Sequence, residues 1–216
     1  MSVTGVALVL FLTFHMLMNL VALVSADGYN AVCEFLGANW YAIAGTLALA
    51  LLFVIHIIYA LWLTFLNRRA RGKERYAVVD KPEEVEWSSQ NMLVLGVIVI
   101  VGIGLHLVNF WSKMMLPELV EMAGVHVDFS TLLYASDGIR HIESTFSNPI
   151  FVVLYLIWLA ALWFHLTHGF WSAMQTLGWN NKLWLCRWRC ISKIYASVVV
   201  ICFALVVVVF FIKSLL

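Results

Sequence analysis

Apolar residues fall along this chain in long runs, and polar residues collect in the gaps between them. Five runs are long enough to cross a bilayer as a helix, which takes roughly 20 apolar residues. They lie at about 2–24, 39–66, 88–115, 148–176 and 190–214. The pattern predicts an all-α fold: a polytopic membrane protein with five transmembrane helices in one bundle over 1–216. No soluble domain, repeat or low-complexity tract interrupts it.

The polar residues inside those runs are the informative ones. The fourth run, PIFVVLYLIWLAALWFHLTHGFWSAMQT, has no Asp, Glu, Lys or Arg, yet it holds His165 and His168. Three other runs carry one histidine each: His15, His56 and His106. Ionisable side chains are costly in lipid and are kept there mainly where they have a use.

Composition agrees with a membrane protein: 63% of the 216 residues are hydrophobic and 12% are charged. The net charge of +1 identifies no partner, and no basic patch points to nucleic acid. The distribution of charge says more. The 67–87 loop holds Arg68, Arg69, Arg71, Lys73, Arg75 and Lys81, and the 177–193 stretch holds Lys182, Arg187, Arg189 and Lys193. The 25–38 loop has neither Lys nor Arg, and 113–147 has only Lys113 and Arg140. The excess of Lys and Arg on cytoplasmic loops then expects the N-terminus inside and the C-terminus outside.

The first run is read as a retained span and not a signal peptide. It lacks a basic leading segment, and His15 and Asn19 lie in its middle. Glu34, in the 25–38 loop, is either a solvated acid or a proton acceptor at the membrane edge. The 67–87 loop is polar enough to touch a soluble partner. Gly96, Gly102 and Gly104 precede His106 and serve either helix packing or the approach of a flat cofactor. His126 and His141, in an outer segment expected to form a short surface helix or lid, are read as solvated. WNNKLWLCRWRC fits an interface anchor. The last run is expected to face lipid or pack. Cys33, Cys186, Cys190 and Cys202 form no C-x-x-C and are read as small half-buried thiols.

Depth sorts the helix histidines into pairs. The first and third runs lead outward, and His15 and His106 lie past their midpoints, in the outer half. The second and fourth lead inward, which puts His56 and His165 in the inner half. Two opposed imidazoles at one level are the ligand set of a b-type haem. Two such pairs would make an electron path across the membrane. A histidine-based transporter of protons or metal with no haem is the other reading, as are plain structural contacts. The lack of carboxylate or thiolate in the spans argues against zinc or di-iron. His168, three residues past His165, serves either as an alternative ligand or, preferably, as a hydrogen-bond donor to a haem propionate.

The segments FLTFHMLMNL, HIIYALWLTFLNRRARG, VGIGLHLVNFW and FHLTHGFWSAMQTLGW resemble the haem-bearing helices of the succinate dehydrogenase/fumarate reductase cytochrome b membrane anchor. The likeness covers nearly the whole chain and is nearest to the five-helix, di-haem type of menaquinone-using bacteria. It implies two haem b groups, with His15 and His106 on the distal iron and His56 and His165 on the proximal iron. It also implies menaquinone as substrate, with flavoprotein and iron–sulfur subunits on the cytoplasmic side binding the dicarboxylate. Glu34 resembles in position the glutamate that takes up protons at the quinol site. The rival quinone site lies on the cytoplasmic side, beside Ser88, Ser89, Gln90 and Gln175. Two features depart from the family. Trp163 stands where some members carry a glutamate for a transmembrane proton route, and the chain opens at Met1–Ser2 without the family's short basic segment.

Overall fold

The computed structural model describes residues 1–37, 39–71 and 86–216. It is all-α, with no strand among those residues. The spans are α1 (Ser2–Val24), α3 (Trp40–Arg71), α5 with its extension (Met92–Met122), α9 (Pro149–Thr176) and α10 (Lys182–Leu215). At 1.5 Å per residue each is longer than the roughly 30 Å hydrocarbon layer. The chain is a multi-pass membrane protein with five apolar helices. Shorter helices fill the gaps: α2 (Ala26–Gly37), α4 (Trp87–Gln90), α6 (Ser112–Met122), α7 (Phe129–Ser136) and α8 (Gly138–Phe146). Much of the basic 67–87 loop, with Lys73, Arg75 and Lys81, lies outside the described residues.

Local chemistry sets the ends. Asn148 accepts a hydrogen bond from the Ile150 amide at 2.9 Å, and Pro149 occupies the first turn of α9, where its missing N–H costs nothing. Gly178, at φ +81°, lets the chain leave α9 in a left-handed turn closed by Trp179 N–H to the Met174 carbonyl. Asn181 then accepts from the amides of Leu183 and Trp184 and starts α10. This cap is why the last helix begins at Lys182, eight residues before the apolar run that signalled it.

Helix α9 is the axis of the bundle. It packs along α10 and also against α5 and α1. Its buried Val152, Tyr155, Leu159, Leu162 and Leu166 share one core with Met16, Val99, Val199, Val206 and Phe210. Polar cross-links join the same helices. Trp163 donates to the Ser197 hydroxyl at 3.0 Å, buried Ser192 donates to the Thr167 carbonyl at 2.7 Å, and Tyr195 donates to the Val9 carbonyl at 3.0 Å. Such bonds between membrane helices are each worth about 0.6 kcal/mol. Helix α3 differs: it rests on α1 and α2, and none of its described residues is buried.

Several expectations need correcting. Residues 26–37 are a helix and not a loop: Tyr29 and Cys33, one turn apart, meet Gly138 at the start of α8. The outer segment is three helices, because the third span continues as α6 to Met122. His141 is not solvated; it is 1% exposed, and its Nε2 contacts the Tyr134 carbonyl at 3.0 Å. His126 is exposed. All four cysteines are free; Cys33 and Cys202 are half-buried, whereas Cys186 and Cys190 are exposed.

The glycines of α5 divide. A Cβ on Gly102 would overlap the Trp158 indole, which donates to the Val99 carbonyl at 3.1 Å. A Cβ on Gly104 would meet nothing within 4 Å. Gly102→Val should therefore destabilise the α5–α9 contact by about 1–3 kcal/mol, the usual cost of overpacking. Gly104→Ala should be tolerated. Thermal unfolding in detergent checks both, and equal midpoints for the two variants would show that Trp158 does not depend on Gly102.

Candidate functional site

His15, midway along α1, and His106, the last residue of α5, lie with ring centres 5.8 Å apart, edge to face at 87°. Their surroundings are aromatic. Phe11 stacks on His15 at 5.5 Å, and Phe203 of α10 lies 5.8 Å away. His106 is flanked by Phe110 at 5.1 Å, Trp158 at 5.9 Å and Tyr155 at 6.4 Å. Immediately after His106 the helix widens into a π turn, Leu107–Trp111. In it, buried Asn109 donates to the Tyr155 hydroxyl at 3.3 Å. Single π turns occur mostly at functional positions, where they re-aim the side chains around them.

The His15–His106 pair is tied to α2 through Asn19. Its amide donates to the His15 carbonyl at 2.8 Å and stands 3.4 Å from His15 Nε2. The Tyr29 hydroxyl donates to Asn19 Oδ1 at 3.4 Å, and Tyr29 also bonds Cys33. Burial pushes the Cys33 thiol up to about 11, so it stays protonated. The next residue, Glu34, is exposed on α2. Glu118 of α6, which sequence reasoning missed as a candidate, lies with its carboxylate against Gly37, where Glu34 acts on it as a like charge. Its Oε2 is buried without a hydrogen-bond partner among the described residues. Nothing in the sequence marked Glu118 out from its acidic neighbours; only the docking of α6 on α2 does.

At the other end of the bundle lie His56 of α3 and His165 of α9. His56 Nδ1 lies 3.1 Å from the Thr4 hydroxyl, whose single hydrogen goes to the Met1 carbonyl at 2.8 Å. With that hydrogen so placed, His56 donates from Nδ1 and its Nε2 keeps the lone pair. That is the tautomer a metal-ligating histidine adopts when its other nitrogen is held by a hydrogen bond. His165 Nδ1 is buried with no hydrogen-bond partner among the described residues. Glycines leave room beside both rings: a Cβ on Gly5 would stand 3.7 Å from His56, and one on Gly96 would stand 3.9 Å from His165.

His168 points into a separate polar group. Its Nδ1 is 3.8 Å from Glu86 Oε2, which also accepts from the Trp171 indole at 3.2 Å. The Arg189 guanidinium lies over the same Trp171 ring, 4.8 Å from its centre. Neither Glu86 nor Arg189 was a candidate from sequence. Ser88 is buried nearby, whereas Ser89, Gln90 and Gln175 are exposed.

Among the described residues no three His, Cys, Asp or Glu side chains gather into a metal-binding group. His15 and His106 stand as a pair of imidazoles from α1 and α5, and His56 and His165 lie on α3 and α9. Comparison with protein-family models, curated proteins and solved structures finds no match.

The outer helices carry a titratable group of their own. Burial pushes the His141 imidazole below its ordinary value, and Lys113 and Arg140 act the same way; the Tyr134 carbonyl and Asp137 oppose them. The unfolded chain takes up this proton near pH 6.5, before the folded one does. Its stabilising contribution is complete above that pH and is lost as the pH falls below it, by at most about 1.4 kcal/mol per unit. Hydrogen-exchange protection factors over 129–146, corrected for the intrinsic rate at each pH, should fall between pH 7.5 and 5.5, and His141→Gln should flatten the response. An unchanged pH profile in that variant would place the titration elsewhere.

Proposed function

We propose that this chain is the di-haem cytochrome b membrane anchor of a menaquinol:fumarate reductase or succinate:menaquinone oxidoreductase. The observation that carries the reading is the approach of His15 and His106 from two different helices to 5.8 Å between ring centres; a second pair, His56 with His165, is part of the proposal. The segments around them carry the family resemblance. His15 and His106, 5.8 Å apart between ring centres, are the residues that would hold the outer haem. Bound haem supplies a one-electron carrier at each level.

The residues of the chain would do the rest. Thr4, 3.1 Å from His56 Nδ1, would favour the tautomer with the lone pair on Nε2. The aromatic wall of Phe11, Phe110, Trp158 and Phe203 excludes water from the outer level. Trp163 takes no part in moving protons, since its indole is bonded to Ser197. Glu34 stands at the outer edge, where a quinol oxidised beside the outer pair would release its protons, and Glu118 gives it a second carboxylate. A base there must come within about 3 Å of the hydroxyl, or reach it through one water. His168 with Glu86 and Arg189 forms the polar end of the inner level.

On this reading the basic face, with Arg68 and Arg69, is cytoplasmic and meets the iron–sulfur subunit, which in turn binds the flavoprotein. The membrane is the bacterial inner membrane, with the N-terminus in the cytoplasm and the C-terminus outside. Fumarate reduction is the favoured direction.

The purified chain should carry two haems and show a b-type spectrum in a dithionite-reduced minus oxidised difference. His15→Ala or His106→Ala should remove the outer haem alone, and His56→Ala or His165→Ala the inner one alone. His168→Ala should keep both. A transporter would show no such spectrum, and one haem or none per chain would sink the proposal.

Glu34→Gln separates the outer quinol site from the inner one. It should abolish menaquinol-driven fumarate reduction, leaving both haems bound and reduction from an artificial donor to the soluble subunits intact. Normal quinol turnover would move the site to the inner side, beside Ser88 and Gln90.

A further inference from the structure

The turn between α9 and α10 and the first turns of α10 form a cleft that the proposed function leaves unused. Its volume is about 270 Å³, and its walls are Trp179, Trp184 and Trp188 above a floor of Gly178, Asn180 and Asn181. The cleft is held in shape. The Trp188 indole donates to the Trp179 carbonyl at 2.7 Å, and the Trp184 and Trp188 rings lie 5.6 Å apart. Arg187 stands over one wall, its guanidinium 5.1 Å from the Trp184 ring centre. On the floor, Asn180 Oδ1 is buried with no hydrogen-bond partner among the described residues.

Charge and depth narrow what would enter. From Pro149 to Leu216 the chain has no Asp or Glu, while Lys182, Arg187, Arg189 and Lys193 fall within 182–193. An anion is required. Helix α10 has 34 residues, about 50 Å, against roughly 30 Å of hydrocarbon. Its first turns therefore pass through the headgroup layer, the level where tryptophan collects. The rim is apolar: Trp179 is 63% exposed and Leu183 72%. An acidic protein surface would find no carbonyl acceptor, glycerol-sized space and lipid-facing rim of use together; a phospholipid uses all three.

We propose that this cleft binds the headgroup of an anionic phospholipid bearing a free hydroxyl, phosphatidylglycerol being the simplest. The phosphate pairs with Arg187. A headgroup hydroxyl donates to Asn180 Oδ1, and the start of the acyl chains lies along Trp179 and Leu183.

Native mass spectrometry of the full-length chain in detergent, titrated with phosphatidylglycerol, phosphatidic acid and phosphatidylcholine, tests this. Phosphatidylglycerol should be retained over phosphatidylcholine. Arg187→Gln, a change at an exposed residue, should weaken it about fivefold, the worth of one basic residue at a membrane surface. Asn180→Ala should weaken phosphatidylglycerol but not phosphatidic acid, which lacks the hydroxyl; circular dichroism confirms that both variants remain helical. Equal retention of phosphatidylglycerol and phosphatidylcholine by the wild type, or an unchanged preference in Arg187→Gln, overturns the proposal. So does displacement of the lipid by millimolar inorganic phosphate, which would make the cleft a site for free phosphate. Arg187-dependent binding of polyglutamate without any lipid preference would instead make it a protein-docking surface.

Discussion

A polar side chain inside a bilayer must be answered by another group, because neither water nor lipid will do it. That constraint governs this bundle. Its spans carry few polar side chains, and these are mostly taken up between helices. Thr13 meets Tyr195, Trp163 meets Ser197, Ser192 meets the Thr167 carbonyl, and Asn109 meets Tyr155. The histidines follow the same rule only in part. His56 is held at one nitrogen, and His165 has a buried nitrogen with no protein partner. Among the described residues the other buried side-chain atoms without a hydrogen-bond partner are Glu118 Oε2, Asn180 Oδ1, Arg189 Nε and Nδ1 of His141 and His168; of all these residues only His165 and His168 lie on α9.

Much of the architecture could be read from hydropathy. The limits of the first and fourth spans, about 2–24 and 148–176, agree with α1 and α9 to within a residue, since both helices end where the apolar run does. Reading failed where a helix outlasts its apolar run. Helix α10 begins under an asparagine cap among Trp, Arg and Cys residues, and α6 carries the third span outward through Lys113 and Glu118. Helix α2 was missed for a different reason. It is too short to span, and Ser25, Asp27, Gly28 and Asn30 read as loop, yet its bonds to Asp137 and the Ile139 amide hold it in place.

The site was legible as a list of histidines but not as an environment. Depth along each span suggested which histidines share a level, and the sequence alone gives depth. It does not give rotation about the helix axis over a π turn, so the contacts of Asn109 and Phe110 beside His106 had no advance signal. Nor could it show Glu86 reaching Trp171 and His168, because that contact joins residues 85 positions apart. His141 was misread because polar neighbours in sequence, Asp137, Arg140 and Glu143, suggested a wet surface, whereas the helix turns that histidine inward onto Tyr134.

One helix fixes both levels. Trp158 and His165 are seven residues apart on α9, two helical turns, so they share a face and differ in height by about 10 Å. The antiparallel α5 answers them in reverse order: Gly102 lies opposite Trp158, and Gly96 lies opposite His165. Gly102 sets the register, because only a residue without Cβ admits the indole, and the indole is anchored in turn to the Val99 carbonyl. With that contact made, His106, one turn beyond Gly102, is brought beside Trp158, and His165 is brought to the open space at Gly96. A slide of α5 along α9 by one turn would disturb the outer and inner histidines together. The spacing between Trp158 and His165, and of the α5 residues that face them, is thus a property of a packed helix pair and not of the loops.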